Sequence, residues 1–201
     1  MWLMEYRFDG LRFDAVHAIN DKGFLEEMAE EIRSTVEPGR HIHLMLENED
    51  NTATLLGGKH YNAQWADDWH NVIHPMLTDE NEGYYQDFTE DATAKLVRCL
   101  GEGFIYQGEQ TRHGKARGEP SKDLPASAFV IFLQNHDQVG NRAFGERLTR
   151  LAPEPALKAA TALLLLSPMI PLLFIGEEWG SRQPFLFFPS HNDELAELVR
   201  D

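Results

Sequence analysis

Cysteine is almost absent from this chain: Cys99 stands alone among 201 residues, so no intrachain disulfide can form. Set in an amphipathic stretch, it reads as a buried, inert thiol. Cations are scarce too. Eighteen Lys and Arg face 33 Asp and Glu, a net charge of −15 at pH 7, which opposes binding to phosphate backbones and argues against a nucleic-acid partner. No apolar run is long enough to span a bilayer. The most apolar stretch, residues 159–175, is broken by Ser167, Pro168 and Pro171, and reads as a buried helix followed by a strand, so no membrane partner is expected. No basic segment leads into an apolar one at the start, and a cytoplasmic location is the expectation. Gly-rich phosphate loops, a Ser-centred nucleophile elbow, internal repeats and low-complexity segments are all missing. What remains, 42% hydrophobic and 25% charged, is the composition of an ordinary globular protein of one or at most two domains.

Three strings carry chemistry. In Asp9-Gly10-Leu11-Arg12-Phe13-Asp14-Ala15-Val16-His17, Arg12 and Asp14 are two apart, so both leave the same face of an extended strand. A guanidinium there keeps the carboxylate ionised, as a nucleophile requires. Taken alone, the pattern also describes a surface ion-pair ladder. The second string, residues 41–50, runs from the apolar Leu44-Met45-Leu46 into the acidic Glu47-Asn48-Glu49-Asp50. The third, residues 129–138, runs from Phe129-Val130-Ile131-Phe132-Leu133 into Gln134-Asn135-His136-Asp137. Apolar strands that each deliver a carboxylate, Asp14, Glu47 and Asp137, to their C-terminal ends are the pattern of a parallel α/β sheet with its chemistry in the crevice above the strands.

Between these strings, strands alternate with helices. Strands are expected at residues 8–14, 42–47, 129–135 and 170–176, and helices at 21–36, 90–100 and 154–166. Residues 51–83 read as a short strand and a helix near 68–77; residues 101–124 read as a long mobile loop.

The strings DGLRFDAVH, HLMLENED and FLQNHDQVGNR resemble the second, third and fourth signature regions of the α-amylase superfamily, glycoside hydrolase family 13. The flanking stretches QWADDWH and IPLLFIGEEWG are similar to its trehalose-releasing branch. The resemblance implies strands four to eight of a (β/α)8 TIM barrel, incomplete, with residues 1–6 as the tail of a preceding helix. Residues 1–201 are then expected to be a partial catalytic barrel without the N-terminal strands, the family's Asn-His signature or the C-terminal β-domain. The implied reaction is retaining hydrolysis of an α-1,4-glucosidic bond next to a terminal trehalose; branching-enzyme or amylase chemistry, and a noncatalytic fragment, are the alternatives.

The resemblance makes Asp14 the nucleophile, Glu47 the general acid and base, and Asp137 the stabiliser of the distorted sugar. A retaining pair stands roughly 5–6 Å apart, so that separation is expected of Asp14 and Glu47. For substrate binding the candidates are Arg12, His17, His136, Asp67, Asp68, Trp69 and His70. His17 is suited equally to a leaving-group sugar or to a helix start, and residues 67–70 equally to an aromatic sugar platform or to plain packing. Glu177, Glu178 and Trp179 fit a site floor or a structural ion pair. His70 and His74 have a zinc-compatible spacing but no third ligand, so no metal or other cofactor is expected. The expected partner is a maltooligosaccharide, with self-association through open barrel edges.

Overall fold

A computed structural model describes residues 1–200. Five parallel strands, β1 (Gly10–Phe13), β2 (His43–Glu47), β3 (Ala63–Trp65), β4 (Phe129–Ile131) and β5 (Ile170–Pro171), form one sheet in sequential order. Helices α1 (Lys22–Thr35), α2 (Asp67–Thr78), α3 (Gln86–Thr89), α4 (Ala92–Glu102), α5 (His136–Gly140), α6 (Leu148–Leu151) and α7 (Glu154–Leu166) fill the connections, and α8 (Asp193–Arg200) follows β5. Parallel neighbours need long crossovers, and helices are the economical way to satisfy the backbone along them. No helix among the described residues is long and apolar enough to cross a membrane.

Helix boundaries follow local chemistry. Asp21 caps α1 by accepting from the Phe24 N–H at 3.3 Å. Asp67 and Asp68 stand in the first turn of α2, where the helix dipole favours acidic side chains. A proline in the first turn opens α7, where a missing N–H costs nothing. Leu25 and Ala29 on α1, Trp69, Val72 and Ile73 on α2, and Ala160 and Leu164 on α7 are buried in one core with Leu44, Leu46, Phe129 and Ile131 of the sheet. Ala63, Trp65, Val130 and Phe132 form a second, smaller apolar cluster.

In residues 1–8 the Glu5 and Tyr6 N–H groups donate to the Met1 carbonyl and the Phe8 N–H to the Trp2 carbonyl, with Arg7 left-handed at φ 60°, the bond pattern that closes the end of a helix. Two expectations need correction. Residues 103–124 lack regular structure but are firmly held: Phe104, Ile105 and Tyr106 are buried, and Gln110 bridges to Ala116. The last strand is regular only at Ile170–Pro171, because Pro171 donates no ladder bond. Beyond it the carboxylates of Glu177 and Glu178 accept from the N–H groups of Phe174 and Gly176.

Candidate active site

Side chains alternate along each strand, so Arg12 and Asp14, Glu47, and Trp65 project on one side while Leu11, Leu44, Leu46 and Ile131 project on the other. The pairing register sets Phe13 beside Leu46 and Glu47 beside Trp65. Parity and register together gather Arg12, Asp14, Glu47 and Trp65 at the C-terminal ends of three adjacent strands.

Arg12 is the hub. Its Nη1 donates to Asp14 Oδ1 at 2.6 Å and its Nη2 lies 2.8 Å from Glu47 Oε2. Its guanidinium carbon sits 4.1 Å from the centre of the Trp65 ring, a cation–π contact that fixes the fork in the plane needed to hold two carboxylates. The buried Arg12 Nε makes no hydrogen bond among the described residues. Arg12 holds the Asp14 carboxyl below the usual carboxylate range, with the charge of His136 acting the same way. This is the state an attacking carboxylate needs.

Glu47 is fixed twice. Its Oε2 also accepts from the Ala15 N–H at 2.8 Å, and Ala15 reaches that position with a left-handed backbone (φ 45°, ψ 43°). A residue with a β-carbon rarely adopts that conformation, which costs on the order of 1 kcal/mol and marks a site where geometry outranks stability. Arg12 thus bridges the two carboxylates, and the Asp14 side chain is 76% exposed.

The end of β4 supplies the third carboxylate. Asn135 caps α5 in a reciprocal box with Gln138, accepting from the Asp137 N–H at 2.8 Å, which fixes how His136 and Asp137 are presented. His136 Nε2 lies 3.4 Å from Asp137 Oδ2, and its ring stands edge-on to Trp65 at 6.1 Å. His136 thus joins Asp137 to the Asp14 neighbourhood.

The other sequence candidates divide. The ring of His17 accepts from the Glu49 N–H at 3.5 Å on the rim beside β2. Asp67 is partly exposed, and its carboxyl is pushed up to about 7 by burial, with Asp68 and Glu47 adding negative charge nearby. Asp68 points away from the cluster. Fully buried, it accepts from Asn51 Nδ2, the N–H groups of Ile105 and Tyr106, and Arg117 Nη2, and thereby anchors residues 103–124. Trp69 is fully buried in the core. His70 is buried between the Leu133 carbonyl and the Tyr85 hydroxyl, at 2.6 and 3.0 Å, and burial pushes its pKa down to about 3, so it is neutral. Of the two alternatives left open for residues 67–70, packing describes Asp68, Trp69 and His70, which are buried. Glu177 accepts from Gln134 Nε2 at 2.8 Å and from the Phe174 N–H at 2.7 Å, hydrogen bonds to neutral groups.

Trp65 and Ala15 escaped sequence reasoning. Trp65 was legible in principle: it stands two residues before Asp67 on a short strand, on the same parity. Ala15 carried no signal, because nothing in its identity foretells a left-handed turn. A cavity of about 650 Å3 lies elsewhere, between α7 and the segment after β5, walled by Leu133, Leu157, Leu164 and Leu173; none of the three strand-end carboxylates lines it. No group of three metal-binding side chains occurs among the described residues.

No family model matches the chain. Curated malto-oligosyltrehalose trehalohydrolases from Saccharolobus solfataricus and Rhizobium sp. are 40% and 41% identical to it over its whole length, and the chain spans 36% of each of them. A solved structure from Salmonella typhimurium, provisionally called an α-amylase, is 47% identical and superposes with a TM-score of 0.92 over 99% of this chain and 36% of its own. The parallel five-stranded sheet is that of part of an α/β barrel of this type.

Proposed function

Because the chain is a partial relative of the malto-oligosyltrehalose trehalohydrolases, we propose that it carries the reacting carboxylates of a retaining glycosidase that releases trehalose from the end of a maltooligosaccharide. In that enzyme its strands would be the fourth to eighth of the barrel. Asp14 attacks the anomeric carbon while Glu47 protonates the departing glycosidic oxygen, breaking the C–O bond and leaving a glycosyl ester on Asp14. Glu47, now a carboxylate, takes a proton from water as the water oxygen displaces Asp14 and restores it. Asp137 and His136 hold hydroxyls of the distorted ring, and Arg12 keeps Asp14 anionic through the cycle. His17 and Asp67 contact the sugar from the rim, whereas Asp68, Trp69 and His70 act by holding the strand ends in place.

The observation that carries this reading is the Arg12 bridge between Asp14 and Glu47 at 2.6 and 2.8 Å, on neighbouring strand ends. The test is a chimera in which residues 1–201 replace the matched segment of the Saccharolobus solfataricus relative, supplied with maltotriosyltrehalose. Trehalose and maltotriose should appear, and Asp14→Asn should silence the reaction. Turnover that survives Asp14→Asn would remove Asp14 from its role.

A further inference from the structure

Residues 183–188, Gln-Pro-Phe-Leu-Phe-Phe, form a strap after β5 that the chemistry above does not use. The strap is anchored at several points. Arg147 donates from Nε to the Gln183 carbonyl and from Nη1 to the Ile175 carbonyl, each at 2.6 Å, with its guanidinium 4.9 Å from the Phe174 ring centre. The Phe185 N–H donates to the Gly145 carbonyl at 3.1 Å, and the Phe185 ring meets Phe174 edge-on at 5.1 Å. Thr149 and Arg150 hold the carbonyls of Ser181 and Arg182, at 2.7 and 3.0 Å.

Two glycines permit the approach. A β-carbon on Gly145 would lie 2.3 Å from the Phe185 carbonyl oxygen, and one on Gly140 would lie 2.6 Å from the Phe187 ring. Only bare backbone at both places lets the strap close down on the α5 region. The consequence is the position of Phe187. Its ring stands edge-on to His136 at 6.3 Å, and His136 stands edge-on to Trp65 at 6.1 Å, so three rings line up beside Asp14 and Asp137.

These rings are not equivalent. Trp65 is 9% exposed and carries the Arg12 guanidinium, so it has no free face. His136 is committed to Asp137. Phe187 is 39% exposed and rigidly placed, the arrangement that stacks on the C–H face of a sugar ring with little ordering cost.

We infer that Phe187 is a stacking wall for one glucosyl ring of the α-glucan bound at the Asp14–Glu47–Asp137 cluster, and so a substrate-binding residue of that site. The inference rests on the glucan-cleaving reading above and adds to it where the chain of sugar rings runs: past His136 toward the strap. The ligand class is an α-1,4-linked glucooligosaccharide.

The test is saturation-transfer NMR of the 201-residue chain with maltopentaose. The wild-type chain should bind it weakly. Phe187→Ala should weaken binding at least 10-fold, and Phe187→Leu, which keeps apolar bulk but removes the aromatic face, should weaken it nearly as much. Phe187→Tyr should retain it. Gly140→Ala should imitate the loss by displacing the ring, whereas Phe188→Ala, at a fully exposed residue, should change nothing. Circular dichroism checks that every variant is folded. Binding by wild type and equally by Phe187→Leu and Phe187→Ala overturns the stacking role and leaves the glycosidase reading intact. No maltopentaose binding by the wild-type chain overturns both.

Discussion

Along β2, Leu44 and Leu46 are fully buried in the main core, while His43, Met45 and Glu47, one residue out of step, stay partly open on the other face. The same division recurs on β1, where Leu11 and Phe13 pack into the core and Arg12 and Asp14 do not. On the helix-covered face Tyr61 donates to the Leu25 carbonyl at 2.8 Å and Asp68 accepts from four donors, while the buried Trp69 Nε1 finds no partner among the described residues. On the open face three carboxylates lean on Arg12 and His136, Ala15 is strained, and the Arg12 Nε is unpaired. One face is optimised for burial, and the other tolerates charge and strain in exchange for chemistry.

The sharpest break in that symmetry is expected from Asp14→Asn. In the chimera, turnover should fall by roughly 10^4-fold or more, as nucleophile removal does elsewhere, while stability in urea changes by no more than about 0.5 kcal/mol because the side chain is exposed. A large stability loss would mean that the open face also holds the fold together. Leu46→Ala should do the reverse. Removing a fully buried side chain costs about 2–5 kcal/mol, read as a lower urea midpoint, with turnover per folded molecule little changed.

Asp67 and Asp68, neighbours in sequence, set the two faces against each other within one helical turn. Asp68→Asn should destabilise by about 1–3 kcal/mol, because an amide cannot serve all four donors and residues 103–124 lose their anchor. Asp67→Asn should stabilise. Its folded pKa of about 7 lies above the ordinary value of 3.8, so the folded state binds the extra proton. Stability therefore falls as pH rises between those values, and the penalty is full above pH 7 and gone below pH 4. The variant should gain on the order of 2 kcal/mol at pH 8, discounted for partial exposure, and nothing at pH 4. Urea titrations at both pH values decide it; equal gains at both would show that the cause is not ionisation.

The smallest effect concerns the sheet margins. β1 and β5 each lack a second neighbour among the described strands, and Ile170 and Leu173 are exposed beside β5, so the chain should self-associate at micromolar concentration. Ile170→Lys should weaken that association several-fold in sedimentation velocity. Unchanged sedimentation would place the contact elsewhere.

Much of this was legible in the sequence, for identifiable reasons. Apolar runs ending in Asp14, Glu47 and Asp137 announce strands that deliver acids, and the structure sets those strands in one parallel sheet. The two-residue spacing of Arg12 and Asp14 sufficed to foresee their ion pair, because strand periodicity alone fixes the shared face. Residues 67–70 left two readings open because an aromatic-acidic cluster looks the same at the level of composition whether it faces a sugar or a core; only the helical phase of α2 separates Asp67 from Asp68. The loop expected at 101–124 seemed mobile because its order comes from long-range bonds to Asp68 and Asn51, and such bonds leave no local pattern. Phe187 lies far along the chain from His136, and Gly140, which admits it, looks like any helix-ending glycine.

The central claim is that the open face works through a covalent bond to Asp14. Incubating the chimera with a 5-fluoro-α-glucosyl fluoride, which slows the second step, and sequencing the peptides by mass spectrometry tests it directly. The account predicts a glycosyl adduct on the peptide containing Asp14, absent from Asp14→Asn. An adduct on Glu47 or Asp137, or trehalose release with inversion at the anomeric carbon and no adduct, would contradict it.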